Sequence, residues 1–417
     1  MNPSSCNECH PKQLEEWSGS MHAYAGEDPV FLAMNRRGQR ETGGKLGVFC
    51  VKCHAPVAVR EGLTSDGLDL AALPAYARGV TCWFCHQVDE VTGDHDAALS
   101  LADDESMRGG IVDPVDSEAH DPLYSELHDG GRIGSSRLCG SCHDIVTPAG
   151  VHLERTFAEW RGSLFSRDTA EERQTCVDCH MPSRSGQAAQ IEGTPLRQVH
   201  DHSMPGVDVA LTDSPQVETQ KAAVLELLAS TVLPKLCVKV GPSGWTVEVT
   251  LENVAAGHAF PSGAAQDRRA WLELEGTFGG QTVFSLGETA DDRAFDEARG
   301  VWWLGETMRS DSGEQVHMFW EASRTEGELL PAPTTRSVLD PAYVETHVTR
   351  AFSLPDVVDE VRVKMRIRPI DFEVIDSLIE SGDLDPAVRL RMPTFELARS
   401  ELVWRARDGE TCVPADL

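Results

Sequence analysis

No run of eighteen or more apolar residues occurs in the 417-residue chain, so the sequence holds no candidate transmembrane helix. Positive charge is also scarce. Against 67 Asp and Glu stand 37 Lys and Arg, most of them arginine, for a net charge of −30. That balance argues against nucleic acid and anionic membrane surfaces as partners, and it favours a soluble chain or one that steers basic partners toward itself. A secretory signal is missing too: Met1 to Ser5 has neither a basic segment nor an apolar one. The apolar and charged fractions, 41% and 25%, are ordinary, which excludes wholesale disorder and allows two or three domains.

Cysteine is where the sequence is rich. Ten of its 12 cysteines fall into five Cys-x-x-Cys pairs, and a histidine follows each pair directly. The motifs are CNECH (Cys6, Cys9, His10), CVKCH (Cys50, Cys53, His54), CWFCH (Cys82, Cys85, His86), CGSCH (Cys139, Cys142, His143) and CVDCH (Cys176, Cys179, His180). Paired thiols alone would also suit zinc or a redox dithiol, but neither needs histidine at the next position. Histidine occupies only 15 of 417 positions, so five hits out of five are not accidental. The spacing suits covalent haem attachment: two thiols add across the haem vinyl groups, and the adjacent imidazole meets the iron from the proximal side. The sequence therefore predicts five c-type haems. Such attachment takes place outside the cytoplasmic membrane, so a periplasmic or extracellular location is expected, with an export signal removed upstream.

The motif histidines are separated by 44, 32, 57 and 37 residues, too irregular for a tandem repeat. All lie before residue 181, and the fold class expected is α+β with two domains. Residues 1–212 read as a loop-rich, mainly α multihaem domain whose core is the haems, with short helices at Pro11–Ala25 and Phe157–Leu164. A connecting helix spans 213–234, with Ser214 as its N-cap. Residues 235–417 then read as an antiparallel β-sandwich, immunoglobulin-like or jelly-roll-like. In "VRVKMRIR", Val361, Val363, Met365 and Ile367 alternate with Arg362, Lys364, Arg366 and Arg368, and "WTVEVTLENV" alternates likewise. Further strands are expected in "AWLELEGTF", "TVFSLGE", "HMFWEAS", "THVTRAFSL" and "SELVWRA", and a helix in "DFEVIDSLIES". Cys237 and Cys412, the two cysteines outside the motifs, are either a disulfide joining the ends of this domain or two part-buried thiols.

Five irons call for up to five further ligands. His22 ends a predicted helix carrying Trp17. His202 precedes Gly206, expected to let backbone approach a flat ring. His95 and His120 lie between the third and fourth motifs, and His258 sits between glycines in "AGHAFPSG". His128, His152 and His200 are reserves, while His317 and His347 fall in predicted strands.

The phrases "SSCNECHPKQLEEWSGSMHA", "GVTCWFCHQV", "LCGSCHD", "CVDCHMP" and "HDHSMPGVD" resemble the multihaem c-type cytochromes of the cytochrome c-552/c-554 type, relatives of the tetrahaem electron acceptor of hydroxylamine oxidoreductase. "GHAFPSG" followed by "RRAWLELE" is similar to a β-domain appended to some multihaem cytochromes. The resemblance implies electron transfer through closely stacked, mostly bis-histidine haems, with His22, His120 and His202 as distal ligands. The nitrite-reducing relatives use a Cys-x-x-Cys-Lys motif, which this sequence lacks. The expected function is a non-enzymatic electron carrier working with redox partner proteins that present a basic docking face. Two alternatives are an oxidoreductase with one open haem acting on a small nitrogen or sulfur compound, and a structural cytochrome that forms homo-oligomers or filaments.

Overall fold

A computed structural model of the chain describes residues 2–169, 171–241, 244–294, 300–409 and 411–415. The chain divides into two compact units. One comprises Met1–Arg161, Phe165–Ala222 and Leu378–Val388; the other comprises Gly162–Leu164, Ala223–Ser377 and Arg389–Leu417. Among the described residues no helix is long and apolar enough to cross a membrane.

The first unit carries all five motifs on short helical segments. Pro3–Glu8 is a 3₁₀ turn holding Cys6, and the chain re-enters helix at Pro11–Ser18 directly after His10. Val51–His54, Cys82–Gln87, Ser136–Gly140 and Cys176–His180 carry the other four motifs. Thr81 and Thr175 cap two of these helices, and Asp178 completes a capping box with Thr175. One helical turn places residues i, i+3 and i+4 on a common face, so both thiols and the imidazole of each motif point the same way. Apolar side chains form small clusters next to the motifs. Phe31, Val51, Ala55, Ala58, Leu70 and Ala77 form one of them, and Val57, Phe84, Val88, Val91 and Leu99 another.

Three expectations for this unit need correction. The helix expected over Pro11–Ala25 is broken: Ser20 adopts an extended conformation, accepts from the N–H of Ala23, and starts a separate turn at Met21–Tyr24. The second expected helix covers Thr156–Gly162 and gives way to a 3₁₀ turn at Leu164–Ser166. The loops also hold four two-stranded sheets, among them Ile145–Val146 with His152–Glu154 and Ser183–Gln187 with Leu196–His200. These strands have only two to five residues each, and Ser183–Gln187 has no apolar residue at all, so alternation does not reveal them.

Among its described residues the second unit contains two antiparallel sheets. In the smaller, the strand order is His347–Leu354, Gly244–Asn253, Val232–Gly241, Cys412–Pro414. The larger has eight strands built on the pair Arg269–Phe278 and Glu360–Arg368, with Trp303–Arg309 extending it on one side. Val361, Val363, Met365 and Ile367 are fully buried, as their alternation requires. Arg368 breaks the pattern, because it is fully buried where a solvent-facing side chain is expected. Its guanidinium lies 3.9 Å from the Phe372 ring centre and 5.3 Å from that of Trp271. It also donates to the backbone oxygens of Asp291 and Arg293, so stacking and hydrogen bonds replace its hydration. "HMFWEAS" is not a strand but a 3₁₀ turn at Phe319–Glu321. Its buried residues Met318, Phe319 and Ala322 are spaced for a helical turn rather than for alternation. Cys237 and Cys412 form a disulfide across the pair Val232–Gly241 and Cys412–Pro414.

Inside the first unit, the helix Pro29–Glu41 reaches far along the chain. Arg40 makes two 2.6 Å bonds to the carboxylate of Asp383, and Arg36 donates to its backbone oxygen at 2.7 Å. Asp383 has only 2% of its side chain exposed and Arg40 about half, so the bidentate pair is shielded on the carboxylate side only.

Candidate haem-binding site

A backbone carbonyl can only accept a hydrogen bond. An imidazole nitrogen bonded to one must therefore carry the proton, which leaves the other nitrogen's lone pair free for a metal. Four of the five motif rings are fixed in this way. Nδ1 of His10 donates to Ala188 O at 2.7 Å, that of His54 to Ala25 O at 3.2 Å, that of His86 to Arg108 O at 2.5 Å, and that of His180 to Pro205 O at 2.7 Å. In each case the lone pair is left on Nε2. His143 differs: its Nδ1 faces the Glu154 carboxylate at 3.6 Å, an ion-pair distance too long for a hydrogen bond. The Glu154 carboxylate raises the His143 pKa to about 9, although about half of the His143 side chain is exposed.

Two imidazoles on opposite sides of one metal ion, each nitrogen about 2 Å from it, have ring centres about 6 Å apart. His10 and His120 are stacked at 6.1 Å, and His22 and His143 meet edge-on at 6.0 Å. Two rings lie near His86: His128 at 5.9 Å and His202 at 6.5 Å. Hydrogen bonding separates them. His128 donates from Nε2 to Cys85 O at 2.8 Å and accepts at Nδ1 from the Ser125 hydroxyl at 2.9 Å, so both its nitrogens are engaged. His202 donates from Nδ1 to His200 O at 3.0 Å and keeps its Nε2 lone pair. Desolvation, reinforced by neighbouring histidines, pushes the pKa of His22 and of His202 down to about 4, so both rings are neutral near pH 7. Nδ1 of His22 and Nδ1 of His120 are buried without a hydrogen-bond partner.

The surroundings explain why His22 is held where it is. The indole N–H of Trp17 donates to Val80 O at 2.8 Å, and the N–H of Val80 donates to the backbone oxygen of His22 at 2.9 Å. Gly79 has φ 89°, and a Cβ there would lie 2.8 Å from His22 O, so only glycine lets this segment pass. For His202 the expected glycine plays no such part: nothing lies within 4 Å of a Cβ built on Gly206. The backbone N–H of His202 is instead held by Glu16 at 3.2 Å. His95 is paired with Asp96 at 3.0 Å and half exposed, and His258 belongs to the second unit, where its Nδ1 donates to Ala259 O at 2.8 Å. Among the described residues no second histidine ring is stacked on His54 or His180. Phe31 lies parallel to His54 at 4.1 Å.

The motif sulfurs show which motifs adjoin. Cys6 lies beside Cys82, Cys53 beside Cys142, and Cys139 beside Cys176. Cys85 is also close enough to Cys142 and Cys139 for their charges to couple. The fourth motif thus borders the second, third and fifth, and the third borders the first. These thiols, the imidazoles fixed through Nδ1 and the opposed ring pairs fit covalently attached haem. Glu154 is the residue that sequence reasoning missed, because only the short hairpin after the fourth motif returns it to His143, pairing it with Ile145.

Residues 5–87 match the family described as "Cytochrome c554 and c-prime". No curated protein matches the chain. The fold is similar to the crystal structure of a penta-heme cytochrome c552 from Thermochromatium tepidum, with a TM-score of 0.62 and 21% identity over 99% of this chain and 98% of that one. The N-terminal region thus matches the cytochrome c554 family, and the chain as a whole shares the fold of a penta-heme cytochrome c552.

Proposed function

We infer that the chain carries five haems and moves electrons among them as a periplasmic or extracellular carrier. The observation that supports this best is the set of opposed rings about 6 Å apart, of which His10, His86 and His202 donate from Nδ1 to backbone carbonyls and so keep Nε2 for a metal. In this reading the ten motif cysteines form the thioethers, and His10, His54, His86, His143 and His180 are the proximal ligands. His120 is distal to His10, His22 to His143, and His202 to His86. Bound haem would supply one-electron chemistry at the iron. The protein's part is to lock each imidazole and to keep adjoining motifs in contact. Because the fourth motif borders three others, the path branches there. Residues 1–212 are the haem-bearing portion; the connecting helix expected over 213–234 is shorter, Val217–Leu228, because Val232–Gly241 is already a strand. The two sheets of 235–417 form an appended β-sandwich that docks a partner.

A second reading draws on His54 and His180, which have no opposed histidine ring among the described residues. An iron with one protein ligand binds small molecules, which would make the protein an oxidoreductase.

A pyridine haemochrome assay with an EPR spectrum of the oxidised protein tests both readings. Five haems per chain are expected. His202→Ala should convert one further haem to high spin, whereas His128→Ala should leave the spin states unchanged. Fewer than five haems, or a high-spin conversion in His128→Ala alone, contradicts the assignment. Turnover of nitrite or hydroxylamine would establish the enzyme reading.

A further inference from the structure

Four proximal rings lean on neutral backbone carbonyls, and the fifth leans on a carboxylate. We propose that Glu154 holds the reduction potential of the haem on Cys139, Cys142 and His143 below those of the other four. The proposal rests on the pentahaem reading above.

Reducing the iron adds one electron, and a fixed negative charge near its proximal ligand opposes that addition. A carboxylate beside Nδ1–H also makes the imidazole a stronger donor, which favours the ferric state. The Glu154 side chain is 16% exposed, so water screens its charge only partly. Nor is the charge cancelled locally. His143 is the one ion-pair partner of Glu154 among the described residues. The adjacent cation, Arg155, is turned to Asp144 at 3.5 Å, and Lys52 lies 3.8 Å from Asp96. The same carboxylate lies close enough to bias His54 and Cys53, which predicts a weaker effect on the haem of the second motif.

The position of this haem gives the tuning a consequence. Its motif lies beside the second and fifth and near the third. With the lowest potential at the junction, electrons rest on the outer haems and cross the junction only in transit, so Glu154 governs how freely the branches exchange them.

The test is a spectroelectrochemical titration of the fully loaded protein and of Glu154→Gln, which keeps the shape and removes the charge. One midpoint should rise, by at least about tenfold in the equilibrium constant for reduction, or about 59 mV for one electron. A second should rise less, and three should stay put. Glu154→Asp, with its charge drawn back from the ring, should raise the same midpoint by a smaller amount. Unchanged midpoints, a uniform shift of all five, or equal shifts in the two variants would overturn the proposal. If Glu154→Gln fails to take up its full haem complement, the smaller shift in Glu154→Asp decides the matter, and its absence refutes the idea. A haemochrome count on the wild-type sample separates the two readings, since fewer than five haems there defeats the pentahaem assignment rather than the role of Glu154.

Discussion

Asp28 shows how one side chain ties local structure to pH. It caps the helix Pro29–Glu41, accepting from the N–H groups of Val30 and Phe31 at 2.8 and 2.9 Å. Burial raises its pKa from 3.8 to about 6, and those two bonds only partly offset the rise. The folded chain therefore holds this proton more tightly than the unfolded chain. Its stabilising contribution is complete below about pH 4 and is lost as pH rises through about 6. Asn caps as well as Asp but carries no charge. Asp28→Asn should thus gain about 1–2 kcal/mol relative to wild type between acid and neutral pH, read from denaturant midpoints at the two ends of that range. An unchanged difference across the range would mean that the group titrates normally. At this scale the motif residues were legible because their spacing is itself the chemistry. His22, His120 and His202 drew attention through neighbouring sequence, but the contrast between His128 and His202 was not legible. It depends on which nitrogen meets a carbonyl 43 residues away in one case and two residues away in the other.

Among the elements, strands with one buried face were read from sequence and short polar ones were not. Val247, Val249 and Leu251 are buried and alternate as burial of one face demands, whereas Ser183–Gln187 has no apolar residue to count. "HMFWEAS" misled because β-rich composition concealed a helical spacing. The strand Cys412–Pro414 is too short to persist by backbone pairing alone, and the disulfide ties it to Val232–Gly241 over a sequence separation of 175. The double variant Cys237→Ser with Cys412→Ser should lose about 2–5 kcal/mol of stability while keeping its full haem content. Thermal unfolding followed by far-UV circular dichroism measures the first, and haemochrome absorbance the second. An unshifted melting curve would show that the strand holds without the bond.

For the whole molecule, the net charge of −30 sets the long-range behaviour. Association with a small basic redox protein should weaken at least tenfold between roughly 20 and 200 mM salt, mainly through a slower on-rate. Stopped-flow mixing across that range measures it, and a salt-independent rate would move the contact to apolar surface. The broad layout, a helical motif-bearing region followed by a strand-rich one, was legible from the shift in periodicity near Pro215. The return of Leu378–Val388 to the first unit was not, because nothing in that segment's composition marks where it packs.

That return bears on the order of events during synthesis. Arg36 and Arg40 leave the ribosome early, but their partner Asp383 follows 343 residues after Arg40. Every attachment motif lies before residue 181, so all five emerge while this clasp is still open. The clasp between Pro29–Glu41 and Asp383 can thus close only after nearly the whole chain has been made.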